Sequence, residues 1–349
     1  MTSPVISNKN NKPYPLFFVP SRFLKVFLFI YLFAFFATIS NAQLLPGFMH
    51  TGSIEEQELN IKDQWKNVIV NICAPLQFNR KGKTHLIFFA LPNGNSIEWT
   101  KGKKLKAGDD WHFDIQHIAA QTRYIRAIDK KNNYIVAYLM TSQKSWPTWK
   151  RNTTDSIYII RNIVDSITNM FKSYDPAIVL NGHSGGGSFI FGYLDAVDAI
   201  PGNVERIAFL DSDYGYEEDM HKDKLVNWLK QNNNNKLLVL AYNDSVVIYN
   251  GKPLVSATGG TWYRSRLMQK NLAGSFSFTT TSDTSFITHE ALDGRIKIIL
   301  KENPGGLIFH TEQVAKNGFI LSLFSATKFN KRKYFTYFGE RAYDKFISN

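Results

Sequence analysis

An apolar stretch, residues 177–180, leads through Asn181 into Gly182-His183-Ser184-Gly185-Gly186, and residues 188–194 after it have the composition of a helix. Glycines at 182 and 186 let the backbone turn tightly against its neighbours, while the serine between them takes an unusual backbone conformation that presents its hydroxyl to solvent. A helix beginning beneath that serine directs its positive end, and the Gly185 N–H, toward an oxyanion formed there. The arrangement suits nucleophilic attack by Ser184. A phosphate-binding loop would need the pattern G-x-x-x-x-G-K-[ST], and this turn lacks the lysine such a loop directs at a nucleotide.

A serine hydroxyl is a poor nucleophile at neutral pH and needs a base within hydrogen-bond reach, itself oriented by an acid. With strand, G-H-S-G-G turn and helix in this order, the sequence resembles the α/β-hydrolase family over roughly residues 65–325. The resemblance implies a triad in the order Ser, Asp or Glu, His. It implies Asp244 as the acid, because the family most often carries that residue just after the second strand beyond the nucleophile, here residues 236–241. Asp211 and Asp213, which end the preceding strand, are the alternatives. Any aspartate at a strand end can instead make an Asx turn or cap a helix.

Three histidines follow Ser184. His310 ends the apolar run 306–309 and precedes a closing helix over 318–325, where the fold would bring a base over the sheet edge. His289, a short interval after the strand 275–280, competes with it, and His221 falls in an expected surface helix. His183 is expected to face away from Ser184 and pack. One oxyanion donor is expected to be the backbone N–H of Gly185, and the resemblance implies a second from Asn93 or Gly94, after the strand 85–90. The HGGG pattern of some lipases does not occur there.

These residues need strands and helices to hold them. Runs rich in β-branched and aromatic residues at 67–73, 85–90, 134–140, 177–180, 206–210, 236–241 and 275–280 predict strands. The first two are close enough in sequence to pair as antiparallel neighbours; beyond them, strand–helix–strand alternation demands crossovers. The expected fold class is therefore α/β: the α/β-hydrolase fold, with a mostly parallel central sheet and helices on both faces. Apolar residues at helical spacing predict an amphipathic helix over 154–171, with further helices over 219–230 and 261–272. The span 96–133 is less regular and reads as an excursion near the mouth of the site, while 231–235, a glutamine and four asparagines, reads as a loop.

Residues 23–39 form an apolar run preceded by Lys9, Lys12 and Arg22 and followed by Ser40-Asn41-Ala42. A basic region, an apolar core and small residues at its end predict a signal peptide over 1–42, cleaved after Ala42. An uncleaved anchor is the alternative, since the run approaches bilayer-spanning length. Residues 43–349 are then expected to be a single domain, secreted or periplasmic. The 349-residue chain carries a net charge of +12; 44% of it is hydrophobic and 14% aromatic, a composition that supports a sizeable core. Short basic clusters at 101–106 and 328–333 read as solvated surface, because no nucleic-acid motif accompanies them. Cys73 is the only cysteine, which excludes an intramolecular disulfide and cysteine-rich zinc sites.

The resemblance implies hydrolysis of carboxylic esters through an acyl-enzyme, on a small-molecule or polysaccharide-linked substrate. No cofactor, metal or nucleic acid is expected, and no membrane contact beyond the N-terminal segment. By analogy with secreted members, acyl or feruloyl esters of carbohydrate are candidate substrates. A peptidase or amidase on the same triad is the alternative chemistry, and a non-catalytic glycan-binding protein with the same fold the alternative class. Trp99, Trp111, Trp146, Trp149 and Trp262 would stack on sugar rings if they lined the mouth, and would otherwise serve the core.

Overall fold

Along residues 84–90 successive side chains alternate between the two faces of a sheet: Leu86, Phe88 and Ala90 enter one core cluster, Ile87 and Phe89 the other. From Leu86 to Ala90 the strand is apolar because both of its faces are covered. The computed structural model describes residues 1, 2, 44–52 and 55–349. Leu44–Asn349 forms one compact unit, while the segment Met1–Gln43, and with it the expected signal peptide, lies outside the described residues except for its first two. No helix among the described residues is long and apolar enough to cross a membrane.

Among the described residues eleven strands form one sheet: β1 (Met49–His50), β2 (Glu56–Trp65), β3 (Val68–Pro75), β4 (Thr84–Ala90), β5 (Asn133–Thr141), β6 (Ala177–His183), β7 (Val204–Leu210), β8 (Lys236–Tyr242), β11 (Thr279–Ser282), β12 (Phe286–Ala291) and β13 (Ile296–Lys301). A separate two-stranded ribbon joins β9 (Ile248–Tyr249) to β10 (Lys252–Pro253). The sheet order is β1-β2-β3-β5-β4-β6-β7-β8-β13-β12-β11, parallel from β5 to β13 and antiparallel at both flanks. From β2 to β13 this is the α/β-hydrolase strand order, and the mostly parallel sheet agrees with the expected fold class.

Helices cover both faces. One is packed by Trp146–Asn152, Ser156–Met170, Gly187–Asp195, Glu218–Gln231 and Thr261–Ala273, the other by Ile118–Ile128, Gly318–Phe324 and the C-terminal aromatics Phe335 and Tyr343. In Ser156–Met170 the buried side chains Ile160, Ile163, Val164 and Ile167 fall at the three- and four-residue spacing of one helical stripe.

Some expectations need correction. β3 does not pair with β4; β5 lies between them, antiparallel to β3 and parallel to β4. Proximity in sequence suggested a hairpin, but the crossover through 97–128 delivers β5 into the gap. That span is more regular than expected: its helix Ile118–Ile128 buries Ile118, Tyr124 and Ile125 against the sheet. The strand expected at 275–280 is the antiparallel edge β11, and the parallel strand leading toward His310 is β13.

Candidate active site

β4, β6, β7, β8 and β13 run parallel, so the loops after their C-terminal ends converge on one edge of the sheet, where open α/β folds build their sites. Ser184 follows β6 directly and has a φ of 53°, in the left-handed region that costs a residue with a Cβ. The surroundings hold it there. A Cβ on Gly187 would lie 1.6 Å from the backbone oxygen of Ser212, and the Ser212 hydroxyl donates to the Gly182 carbonyl at 2.9 Å. The turn after β7 is thereby clamped onto the turn after β6, and the helix Gly187–Asp195 starts beneath the serine.

The turn after β7 also carries Asp211, fully buried and left-handed at φ 50°, with its N–H donating to the Leu240 carbonyl at 2.7 Å. Its Oδ2 accepts a hydrogen bond from Nδ1 of His310, and its Oδ1 accepts one from the Thr261 hydroxyl. With Nδ1 carrying the proton toward a carboxylate, Nε2 of His310 is the basic atom. His310 reaches this position on the loop after β13, which Asn303 shapes: its amide donates to the carbonyls of Asn243 and Leu307 at 2.9 and 2.8 Å, and its Oδ1 accepts from the Leu307 N–H.

The expectation that Asp244 orients the histidine is therefore corrected: that carboxylate is Asp211. Asp244 stands at the start of the helix Thr261–Ala273, where its Oδ2 accepts from the Thr261 N–H at 2.9 Å. Both aspartates follow neighbouring parallel strands, and Thr261, with its N–H on one and its hydroxyl on the other, joins them. Asp213, the third carboxyl group, accepts from the Ser265 hydroxyl at 2.8 Å and does not bond His310. Burial, reinforced by the negative charge of Asp211, pushes the Asp244 carboxyl up to about 6 despite the Thr261 and Trp262 N–H groups, and pushes Asp213 far above the usual carboxylate range.

His183 does more than pack. Its Nε2 donates to the backbone carbonyl of His310 at 3.1 Å, and the two rings lie 4.6 Å apart. Burial, then the neighbouring His310, holds its pKa well below the ordinary histidine value, so the ring is neutral and its protonated nitrogen is the one on that carbonyl. The other two histidines are elsewhere. His289 is on β12 beside the Thr280 hydroxyl, and His221 is buried rather than on the surface, held between the Glu217 N–H at 2.9 Å and Asp195 at 3.0 Å.

Asn93 and Gly185 are brought together: a Cβ on Gly185 would come 2.0 Å from the Asn93 side-chain oxygen. Both line a cavity of about 450 Å³ with Ser184, Asp244 and His310. A second cavity of about 350 Å³ also reaches Ser184 and Gly185, and is walled by Phe191, Met220 and His221 without His310. A serine, a histidine with a free Nε2, a buried carboxylate on its Nδ1 and backbone amides beside the serine together have the parts for acyl transfer. Of the five tryptophans considered for the mouth, Trp146 and Trp149 are core, packed edge-to-face at 5.4 Å, and Trp262 is partly buried against the same core cluster.

The sequence alone does not mark Asn303, Thr261 or the hydrogen bond from His183 to the His310 carbonyl. The only available signal was Thr261 following Gly259-Gly260 at a helix start.

No family model and no curated protein matches the chain. Among solved structures it is similar to poly(aspartic acid) hydrolase-1 from Sphingomonas sp. KT-1, with 13% identity and a TM-score of 0.45 over 77% of this chain and 99% of that one. It is also similar to an acetyl xylan esterase from Aspergillus awamori, with 11% identity and a TM-score of 0.40 over 71% and 92% of the respective chains. A cold-adapted esterase from an Arctic intertidal metagenomic library gives 8% identity and a TM-score of 0.39 over 79% and 96%. At these values the likenesses do not bear on chemistry.

Proposed function

We propose that the chain is a serine hydrolase that cleaves carboxylic esters through an acyl-enzyme, with Ser184 as nucleophile, His310 as base and Asp211 as the acid that orients it. The observation that carries this reading is the hydrogen bond from His310 Nδ1 to the buried Asp211 carboxylate, in a histidine that shares a cavity with the left-handed Ser184.

In the proposed reaction Ser184 Oγ attacks the ester carbonyl carbon while its proton passes to His310 Nε2. The backbone N–H groups of Gly185 and Asn93 take the oxyanion. As the tetrahedral intermediate collapses, the bond to the leaving oxygen breaks and that oxygen receives the proton from Nε2. Water then repeats the sequence on the acyl-enzyme and regenerates Ser184. Turnover of p-nitrophenyl acetate by the purified chain, set against Ser184→Ala and His310→Ala, tests it; wild-type turnover equal to that of Ser184→Ala would refute it.

The finer part of the proposal is that the substrates are acyl esters of carbohydrate met outside the cytoplasm. An exposed indole supports the sugar: Trp111, 65% exposed, lies on the half-buried His112 at 3.9 Å, and His112 lies on the half-buried Trp99 at 4.4 Å. Lys144 sits over Trp99 at 4.9 Å and accepts through its carbonyl the Gly94 N–H, beside Asn93, at 2.8 Å. Flat aromatic faces of this kind offer stacking area for sugar rings. Export rests on the basic and apolar pattern of residues 1–42.

A further inference from the structure

The beginning of the helix Thr261–Ala273 faces three buried aspartates: Thr261 bonds Asp211 and Asp244, and Ser265 bonds Asp213. Residues four apart share one face of a helix, so Thr261 and Ser265, both fully buried, present their hydroxyls on the same side.

The bonds of Thr261 are divided between backbone and side chain. Its N–H, a helix-start donor with no partner inside the helix, goes to Asp244 Oδ2 at 2.9 Å. A Cβ on Gly260 would overlap the Asp244 carboxylate, so the glycine is what lets that carboxylate lie against the helix start. With its backbone held there, Thr261 donates its hydroxyl to Asp211 Oδ1, while the other oxygen of the same carboxylate accepts from Nδ1 of His310. Asp244 Oδ2 is farther from that hydroxyl, at 3.4 Å.

A carboxylate held at both oxygens keeps one orientation, and Asp211 is 0% exposed, so water cannot replace either bond. Without the Thr261 hydroxyl, Oδ1 would be a buried acceptor with no partner among the described residues, a costly state that rotation of the carboxylate would relieve. The imidazole that Oδ2 orients would turn with it.

We infer that Thr261 is a positioning residue of the proposed triad: its hydroxyl fixes the Asp211 carboxylate, and through it the ring of His310, in the attitude that leaves Nε2 free to serve Ser184. Asp244 has the supporting part of anchoring the Thr261 backbone. The inference rests on the ester-hydrolase reading above and adds a residue that the reading does not use.

Turnover of p-nitrophenyl acetate by the full chain and three variants tests it. Thr261→Val keeps the side-chain shape and the N–H on Asp244 but has no hydroxyl, and should lower kcat by about tenfold with KM within about twofold. Thr261→Ser restores the hydroxyl and should recover most of that loss. Ser265→Ala removes a hydroxyl from the same helix face without touching the Asp211–His310 pair, and should stay within about twofold of the wild type. If Thr261→Val does not fold, Thr261→Ala takes its place in the same comparison. Wild-type kcat in the variant without the hydroxyl overturns the inference, as does a Thr261→Ser as impaired as that variant. A Ser265→Ala loss of the same size also overturns it, because docking of the helix, and not the bond to Asp211, would then be what matters. A wild type that neither turns over the ester nor reacts with a fluorophosphonate would instead overturn the ester-hydrolase reading itself.

Discussion

Nδ1 of His310 meets the carboxylate of Asp211, a fully buried residue held in the left-handed region at the end of β7. The neighbouring Asp244, at the end of β8, is tied to Thr261 instead. The two aspartates should therefore differ sharply in consequence. Asp211→Asn removes the carboxylate that fixes the imidazole tautomer and should lower kcat by roughly a thousandfold or more, whereas Asp244→Asn should cost far less on p-nitrophenyl acetate. Steady-state kinetics on the two variants decide it; the reverse ranking would return Asp244 to the triad.

His183 holds the backbone carbonyl of His310 through its Nε2. In the proposed hydrolase this makes it a positioning residue. His183→Phe keeps a ring in the same space without the donor, and should lower kcat by about tenfold, the scale of a small misplacement of the base, with little change in KM. A KM effect with kcat intact would assign it to substrate binding instead.

Gly187 lies where the turns after β6 and β7 touch, with room for no side chain against the Ser212 backbone. Gly187→Ala must push the Asp211 turn off the elbow, so it should destabilise the fold by about 2 kcal/mol or more and slow labelling of Ser184. Denaturant unfolding of an unaffected variant would show that the two turns are not clamped.

Asp244 makes stability depend on pH. Its carboxyl is raised to about 6 by burial and by Asp211, above the value of about 3.9 for an unfolded aspartate. Folding therefore favours its protonated form, and that contribution is fully present below pH 4 and lost as pH rises through 6. Asp244→Asn, which cannot ionise, should match the wild type near pH 4 and exceed it above pH 7 by an amount on the order of 2 kcal/mol. Unfolding curves at the two pH values check this, and a constant difference between the proteins would contradict it.

The tight turn that carries Ser184 was legible because three constraints coincide in a few residues: an apolar strand, small residues where backbones touch, and a helix start. His310 could be picked out from the apolar run before it and the closing helix after it. The carboxylate that meets His310 could not, because the parallel strands β7 and β8 are each followed within two residues by an aspartate on the same sheet edge. Which one meets the histidine depends on the path of the 302–310 loop, fixed by Asn303 contacts that join β8 and β13 through tertiary structure. β2 is not legible in the sequence because its C-terminal half is largely exposed, with Lys62, Asp63 and Gln64 interrupting its apolar alternation. The order β3-β5-β4 was equally hidden, since sequence spacing carries no information about which strand a crossover inserts between two others.

The central claim is that Ser184 is the nucleophile and His310 activates it. Treating the purified chain with a fluorophosphonate and mapping the modified peptide by mass spectrometry tests this most directly. The account predicts a single adduct, on Ser184, formed in the wild type, slowed by roughly a thousandfold in His310→Ala and absent from Ser184→Ala. An unlabelled wild type, or an adduct on any other residue, would contradict it.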